Sequence, residues 1–330
     1  MICRPHKHLF GIIALVAAVA AGTIPAAAQS TVPTAPTASG PVIYRLDKES
    51  TFQRGCFAPC LCPVMEQAPM RGTFILGGGV YDGLFTTYKV SDVNWVVALN
   101  GTDVRITGGG TYRIGGEFAV QQELALDLQV GDDPVQKFDS GLITGSKVPF
   151  PAISLTISIH GQTCFDTVLN VSASPVPPDQ IHPYRLLDGT TFQRGCFGAC
   201  ACALGPKQPV IGTFSLVDLE TNSLFTEFAV VNVRWLVTST SSTTASGLPI
   251  RGFGTYRFGG EFALQQRLSL DLLVGTEPLT HYDSGLQSGV AFPRIDSLIS
   301  INGGVCLDTL IDVHAAPRRS TTVRPSLMEP

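Results

Sequence analysis

The residues best suited to chemistry are eight cysteines in two sets of the same spacing, Cys56, Cys60, Cys62 with Cys164, and Cys196, Cys200, Cys202 with Cys306. Each set is Cys-x3-Cys-x-Cys followed at long range by a fourth thiol, and the ninth cysteine, Cys3, stands apart near the N-terminus. Four thiols per set read first as two disulfides wherever the compartment is oxidising. A bridge between Cys60 and Cys62 would strain the required geometry, so Cys164 is expected to take one of the early three, Cys62 or Cys60 before Cys56. The alternative is a four-thiolate metal site built from the same eight residues. Zinc frameworks prefer Cys-x2-Cys pairs, which are absent, whereas a soft ion such as Cu(I) tolerates this spacing better.

Histidine argues against a catalytic centre common to both sets. The chain has six: His6, His8, His160, His182, His281 and His314. When the two halves are aligned, Asn302 stands opposite His160, Lys137 opposite His281 and Ser172 opposite His314. A shared site therefore lacks the commonest acid–base group. His281, beside Tyr282 and Asp283, could serve in a single-copy site, but reads first as a lone surface histidine.

The ionisable residues that do recur are Arg45/Arg185, Arg54/Arg194, Arg113/Arg257, Glu117/Glu261, Asp127/Asp271, Asp139/Asp283 and Asp166/Asp308. Paired carboxylates could hydrolyse glycosides. The simpler reading is turn chemistry, with the Asp of Asp-Ser-Gly capping backbone amides and the Glu of Gly-Gly-Glu flanking a hairpin. No nucleophile elbow, P-loop or calcium loop is present. No catalytic or cofactor-binding residue is assigned, no cofactor is expected, and a non-enzymatic role is favoured.

These residues are positioned by a tandem repeat. Tyr44-Arg45-Leu46 and Thr51-Phe52-Gln53-Arg54-Gly55-Cys56-Phe57 return 140 residues later as Tyr184-Arg185-Leu186 and Thr191-Phe192-Gln193-Arg194-Gly195-Cys196-Phe197. Gly110-Thr111-Tyr112-Arg113 returns as Gly254-Thr255-Tyr256-Arg257 after a Ser/Thr-rich insertion at 238–247. In the first copy Phe118, Val120, Leu124, Leu126, Leu128 and Val130 alternate with small or polar residues, and the second copy repeats the pattern from Phe262 to Val274. A period of two predicts a half-buried strand, and Gly115-Gly116 before it predicts a two-residue hairpin turn. Gln122 and Gln266 fall on the apolar face of that strand, where a buried amide must find partners or the strand must bulge.

The expected fold is all-β: two tandem β-sandwich or flattened-barrel domains, each disulfide-stapled, over residues 43–173 and 183–315. A Pro-rich spacer at 174–182 would leave them separable, and 29–42 and 316–330 are expected to be disordered. Residues 1–28 read as a signal peptide, with Arg4 and Lys7, an apolar run at 9–20 and Ala26-Ala27-Ala28 before the expected cleavage point. No later stretch is long enough to span a bilayer. A formal net charge of −4 with 15% charged residues gives no basic footprint for nucleic acid. The function that fits is a secreted or periplasmic binding or structural module whose partner is a protein, a glycan or an envelope component. A metal-delivery protein and a secreted hydrolase are the alternatives.

Overall fold

A computed structural model describes residues 40–62, 65–238 and 247–318. The signal-peptide reading and most of both expected disordered segments lie outside these residues. Among the described residues the regular structure is β-strand, apart from one 3-10 turn at Pro178–Gln180.

The first copy contains β1 Val42–Leu46, β2 Thr51–Phe57, β3 Met65–Tyr81, β4 Phe85–Leu99, β5 Thr102–Gly115, β6 Gln121–Val130, β7 Gln136–Asp139, β8 Ile143–Thr144, β9 Ile153–Ser158 and β10 Cys164–Pro175. The second contains β11 Ile181–Leu186, β12 Thr191–Phe197, β13 Gln208–Thr221, β14 Phe225–Val237, β15 Leu248–Gly259, β16 Gln265–Val274, β17 Thr280–Asp283, β18 Gln287–Ser288, β19 Ile295–Ser300 and β20 Cys306–Pro317.

Each copy forms one ten-stranded antiparallel sheet, and the sheet closes on itself. β1 and β2 share one position, since both lie between β3 and β10 and follow one another along them. β7 and β8 share another, both alongside β6. The order then runs β3, β4, β5, β6, β9, β10 and back, so each copy is an up-and-down barrel of eight strand positions. Closure is thinnest between β7 and β9, where a single register pair, Asp139 with Ser158, joins them. Asp283 with Ser300 does the same in the second copy.

An eight-position barrel has an interior just wide enough for side chains to fill. Here Tyr44, Phe52, Phe74, Trp95, Tyr112 and Phe138 fill the first, each at most 2% exposed. Such bulk in the middle requires the wall to give elsewhere. A Cβ on Gly110 would stand 2.1 Å from the Ala125 carbonyl oxygen, and one on Gly254 the same distance from that of Ser269. These glycines let β5 and β15 kink against their neighbours as the sheet curves.

The best strand pattern holds from Gln122 onward. Gln122, Leu124, Leu126, Leu128 and Val130 are all buried, as are Gln266, Leu268, Leu270, Leu272 and Val274. The strand does not begin at Glu117. Gly116 to Val120 form a five-residue loop rather than a two-residue turn, and Phe118 is 96% exposed. The apolar residues of that loop continue the alternation by coincidence of spacing, not by pairing.

The copies touch. Ile43 and Val176 pack with Val217, Ala229 and Val231 into a third buried cluster between the barrels. Asn94 Nδ2 donates to the Gly254 carbonyl at 2.7 Å, and Arg45 Nη1 to the Asp218 carbonyl at 3.0 Å. The segment that joins the copies is mostly structured, with β10 reaching Pro175 and Val176 buried in this contact.

Candidate functional site

At one end of each barrel lie the cysteines. Cys56 pairs with Cys62 and Cys60 with Cys164, and in the second copy Cys196 pairs with Cys202 and Cys200 with Cys306. The register of β10 against β2 sets Cys164 opposite Phe57, within reach of the turn that carries Cys60. In this state the eight sulfurs offer no thiolate.

Most of the recurring ionisable residues hold loops. Asp166, near the start of β10, accepts from the backbone amides of Ile159, His160, Gln162 and Thr167 around the β9–β10 turn at 2.7–3.2 Å. Asp308 does the same with Ile301, Asn302, Gly304 and Thr309. Asp139 and Asp283 cap the amides of Gly141 and Gly285. Arg54 binds Thr167 and Asp133, and Arg194 binds Thr309 and Glu277. Arg113 pairs with Glu123 and lies over the Phe85 ring. Glu117 and Glu261 are exposed in their loops. The two glutamines keep their places in the barrel interior: Gln122 accepts from the Tyr112 hydroxyl at 3.1 Å and donates to the Gly145 carbonyl. Gln266 accepts from Tyr256 and donates to the Asp296 carbonyl.

The opposite end of each barrel is apolar and exposed. The Gly116 amide bonds the Leu84 carbonyl, and the Gly145 amide bonds that of Val120, so three hairpin ends are tied together. They present Leu84, Phe118 and Val120 to solvent, and the second copy presents Leu224, Phe262 and Leu264 through the same two bonds. Phe262 is 94% exposed.

The third region lies between the barrels. Asp127 and Asp271 occupy equivalent positions, yet Asp127 is exposed and Asp271 is buried. Arg105 of the first barrel reaches across with Nη1 at 2.5 and 2.7 Å from the two Asp271 carboxylate oxygens. Arg71 binds Glu227 at 2.8 Å and Asp103 at 3.0 Å, and Asp103 accepts from Arg257 at 2.6 Å.

His281 sits in the same cluster and is not a lone surface residue. Strand register places it directly opposite Asp271, with Asp283 opposite Ser269. Its Nδ1 lies 3.0 Å from Asp271 Oδ1, and its Nε2 lies 3.4 Å from Ser269 Oγ and 3.9 Å from Asp283 Oδ2. Arg267 closes the group by pairing with Asp283. Ser269, His281, Arg105, Arg257 and Arg267 all line one narrow cavity of about 80 Å³. Nδ1 of His281 thus faces the Asp271 carboxylate, and Nε2 faces the Ser269 hydroxyl with the Asp283 carboxylate slightly farther off. His314, by contrast, has Asp296 at 2.8 Å and Asp312 at 3.3 Å.

The electrostatics follow from this packing. Burial works against the charged form of His281, but the contacts with Asp271 and Asp283 outweigh it and raise its pKa above the ordinary histidine value. Burial would raise the Asp271 carboxyl, yet His281 and Arg105 hold it below the usual range. Asp103 is lowered in the same way by Arg71 and Arg257. Asp283 lies well below, with His281, Arg267 and the Gly285 amide overcoming burial.

Sequence reasoning missed Ser269, Arg105 and Arg267. The available signal was period two: Ser269 and Asp271 share the outer face of β16, where the first copy has Ala125 and Asp127. Comparison of the chain with protein-family models, curated proteins and solved structures finds no match.

Proposed function

We propose that the chain is an exported binding module that engages a cell-envelope component through the apolar loop ends of its two barrels. The observation that carries this reading is the recurrence of an almost fully exposed phenylalanine, Phe118 and Phe262, at the same position in both copies. An exposed aromatic costs free energy in water unless a partner covers it, and a cluster with neighbouring Leu and Val marks a recognition surface. The barrel interiors support the same reading, because bulky side chains fill them and leave recognition to outer surfaces. Four disulfides suit an oxidising, extracytoplasmic setting, and no helix among the described residues is long and apolar enough to cross a membrane.

Co-sedimentation with envelope preparations of the producing cell tests the proposal. The wild-type chain should pellet with envelopes, and the Phe118→Ser/Phe262→Ser chain should lose at least tenfold in apparent affinity with unchanged thermal unfolding. Equal retention of both chains, or no retention of either, would contradict it.

A further inference from the structure

We propose that Ser269, His281 and Asp271 form an acyl-transfer site in the second barrel that hydrolyses small carboxylic esters. The connectivity is that of a nucleophile, its base and the base's orienter: hydroxyl to Nε2, Nδ1 to carboxylate. The 3.4 Å separation of Ser269 from His281 is within the looser range found before substrate binds. Ser269 and Asp271 are two apart on β16 and so share a face, and cross-strand register sets His281 against that face from β17. Arg105, reaching over from the first barrel, fixes the Asp271 carboxylate, so the site is complete only when the barrels are docked.

In the reaction Ser269 Oγ attacks the ester carbonyl carbon while His281 Nε2 accepts the hydroxyl proton. The carbonyl oxygen becomes an oxyanion, and the guanidinium groups of Arg257 and Arg267, which line the same cavity, supply positive charge and N–H donors to it. Both are held in place beforehand, Arg257 by Asp103 and Arg267 by Asp283. Collapse breaks the bond from the carbonyl carbon to the alkoxy oxygen, and His281 returns its proton to the leaving alcohol. Water, deprotonated by His281, then attacks the acyl-serine carbonyl carbon; collapse breaks the bond to Ser269 Oγ, which takes the proton back from His281 as the carboxylic acid leaves. A cavity of about 80 Å³ accommodates a short acyl group such as acetyl.

The first copy is an internal control. It has Ala125 where the second has Ser269 and Lys137 where it has His281, so Ser269→Ala installs a residue that the same strand position already accommodates. The test uses the full mature chain with p-nitrophenyl acetate as substrate and a fluorophosphonate as covalent probe. The wild-type chain should take up one probe per molecule, mapped by peptide mass to Ser269. Ser269→Ala should abolish the adduct and lower hydrolysis at least 100-fold with unchanged circular dichroism and thermal unfolding, and His281→Gln should lower both adduct and hydrolysis with unchanged circular dichroism. The hydrolysis rate should rise with pH through one ionisation that His281→Gln removes. No adduct, an adduct on another residue, or wild-type hydrolysis by Ser269→Ala would overturn the proposal.

Discussion

The two barrels share an interior and differ on one outer face. Trp95 and Trp235, Tyr112 and Tyr256, and Gln122 and Gln266 occupy equivalent buried positions. Outside, Gly77, Lys89 and Ser91 of the first copy correspond to Val217, Ala229 and Val231 of the second, and the latter three are buried against Ile43 and Val176. Lys137 and Ala125 likewise correspond to His281 and Ser269. Interior packing punishes most changes of volume, whereas an outer face can be rewritten freely while it stays solvated. The second barrel has used that freedom to hold the first.

The largest effects are expected from removing features the barrels share. The bridge from Cys60 to Cys164 closes a separation of 104 residues and that from Cys200 to Cys306 one of 106. Replacing either pair by alanine should cost about 4–5 kcal/mol, against about 2–2.5 for Cys56 with Cys62, in denaturant unfolding. Asp166→Ala and Asp308→Ala should follow at roughly 3 kcal/mol each, because each leaves several backbone amides without an acceptor. Values that differ between copies by more than about 1 kcal/mol would break the claim of a common frame.

Equivalent residues on the outer face should behave unequally. Asp271→Ala should cost about 2 kcal/mol, below the range for a fully buried pair because Arg105 keeps 40% of its side-chain exposure and can rehydrate. Asp127→Ala, at the matching exposed position, should stay within about 0.5 kcal/mol.

The smallest effect is on pH dependence. Asp103 and Asp271 have lowered folded-state values, so their contribution is present above the unfolded carboxylate value of about 3.9 and fades as pH falls below it. His281 is raised, so its contribution is full below about 6.5 and is lost as pH rises through its higher folded value. Urea midpoints should therefore peak in the mildly acidic range, and Asp271→Ala should flatten both limbs.

Much of the frame was legible in the sequence. Alternation from Leu124 to Val130 marked the wall of the barrel, and of the two outcomes open for Gln122, burial with partners or a bulge, the structure shows the first. The even cysteine sets, each confined to one copy, anticipated bridges within copies. Phe118 misled because a loop residue at even spacing looks like one more strand residue, and only pairing distinguishes them. The sequence left sandwich and flattened barrel both open, since a period of two reports which face is buried and not which strand is the neighbour. The cluster around His281 was hidden for the same reason: Ser269, Asp271 and His281 meet through cross-strand register, and Arg105 arrives from the other copy. Aligning the copies for what they share also discards what one of them has gained.

The central claim, that the outer face of the second barrel binds the first, is tested most directly by a double-mutant cycle on Arg105→Ala and Asp271→Ala in the full chain. Equilibrium unfolding of the four proteins should give a coupling energy of about 1–2 kcal/mol, as expected for two charges in direct contact with one of them buried. Additive effects, with a coupling within about 0.3 kcal/mol of zero, would contradict the docked arrangement.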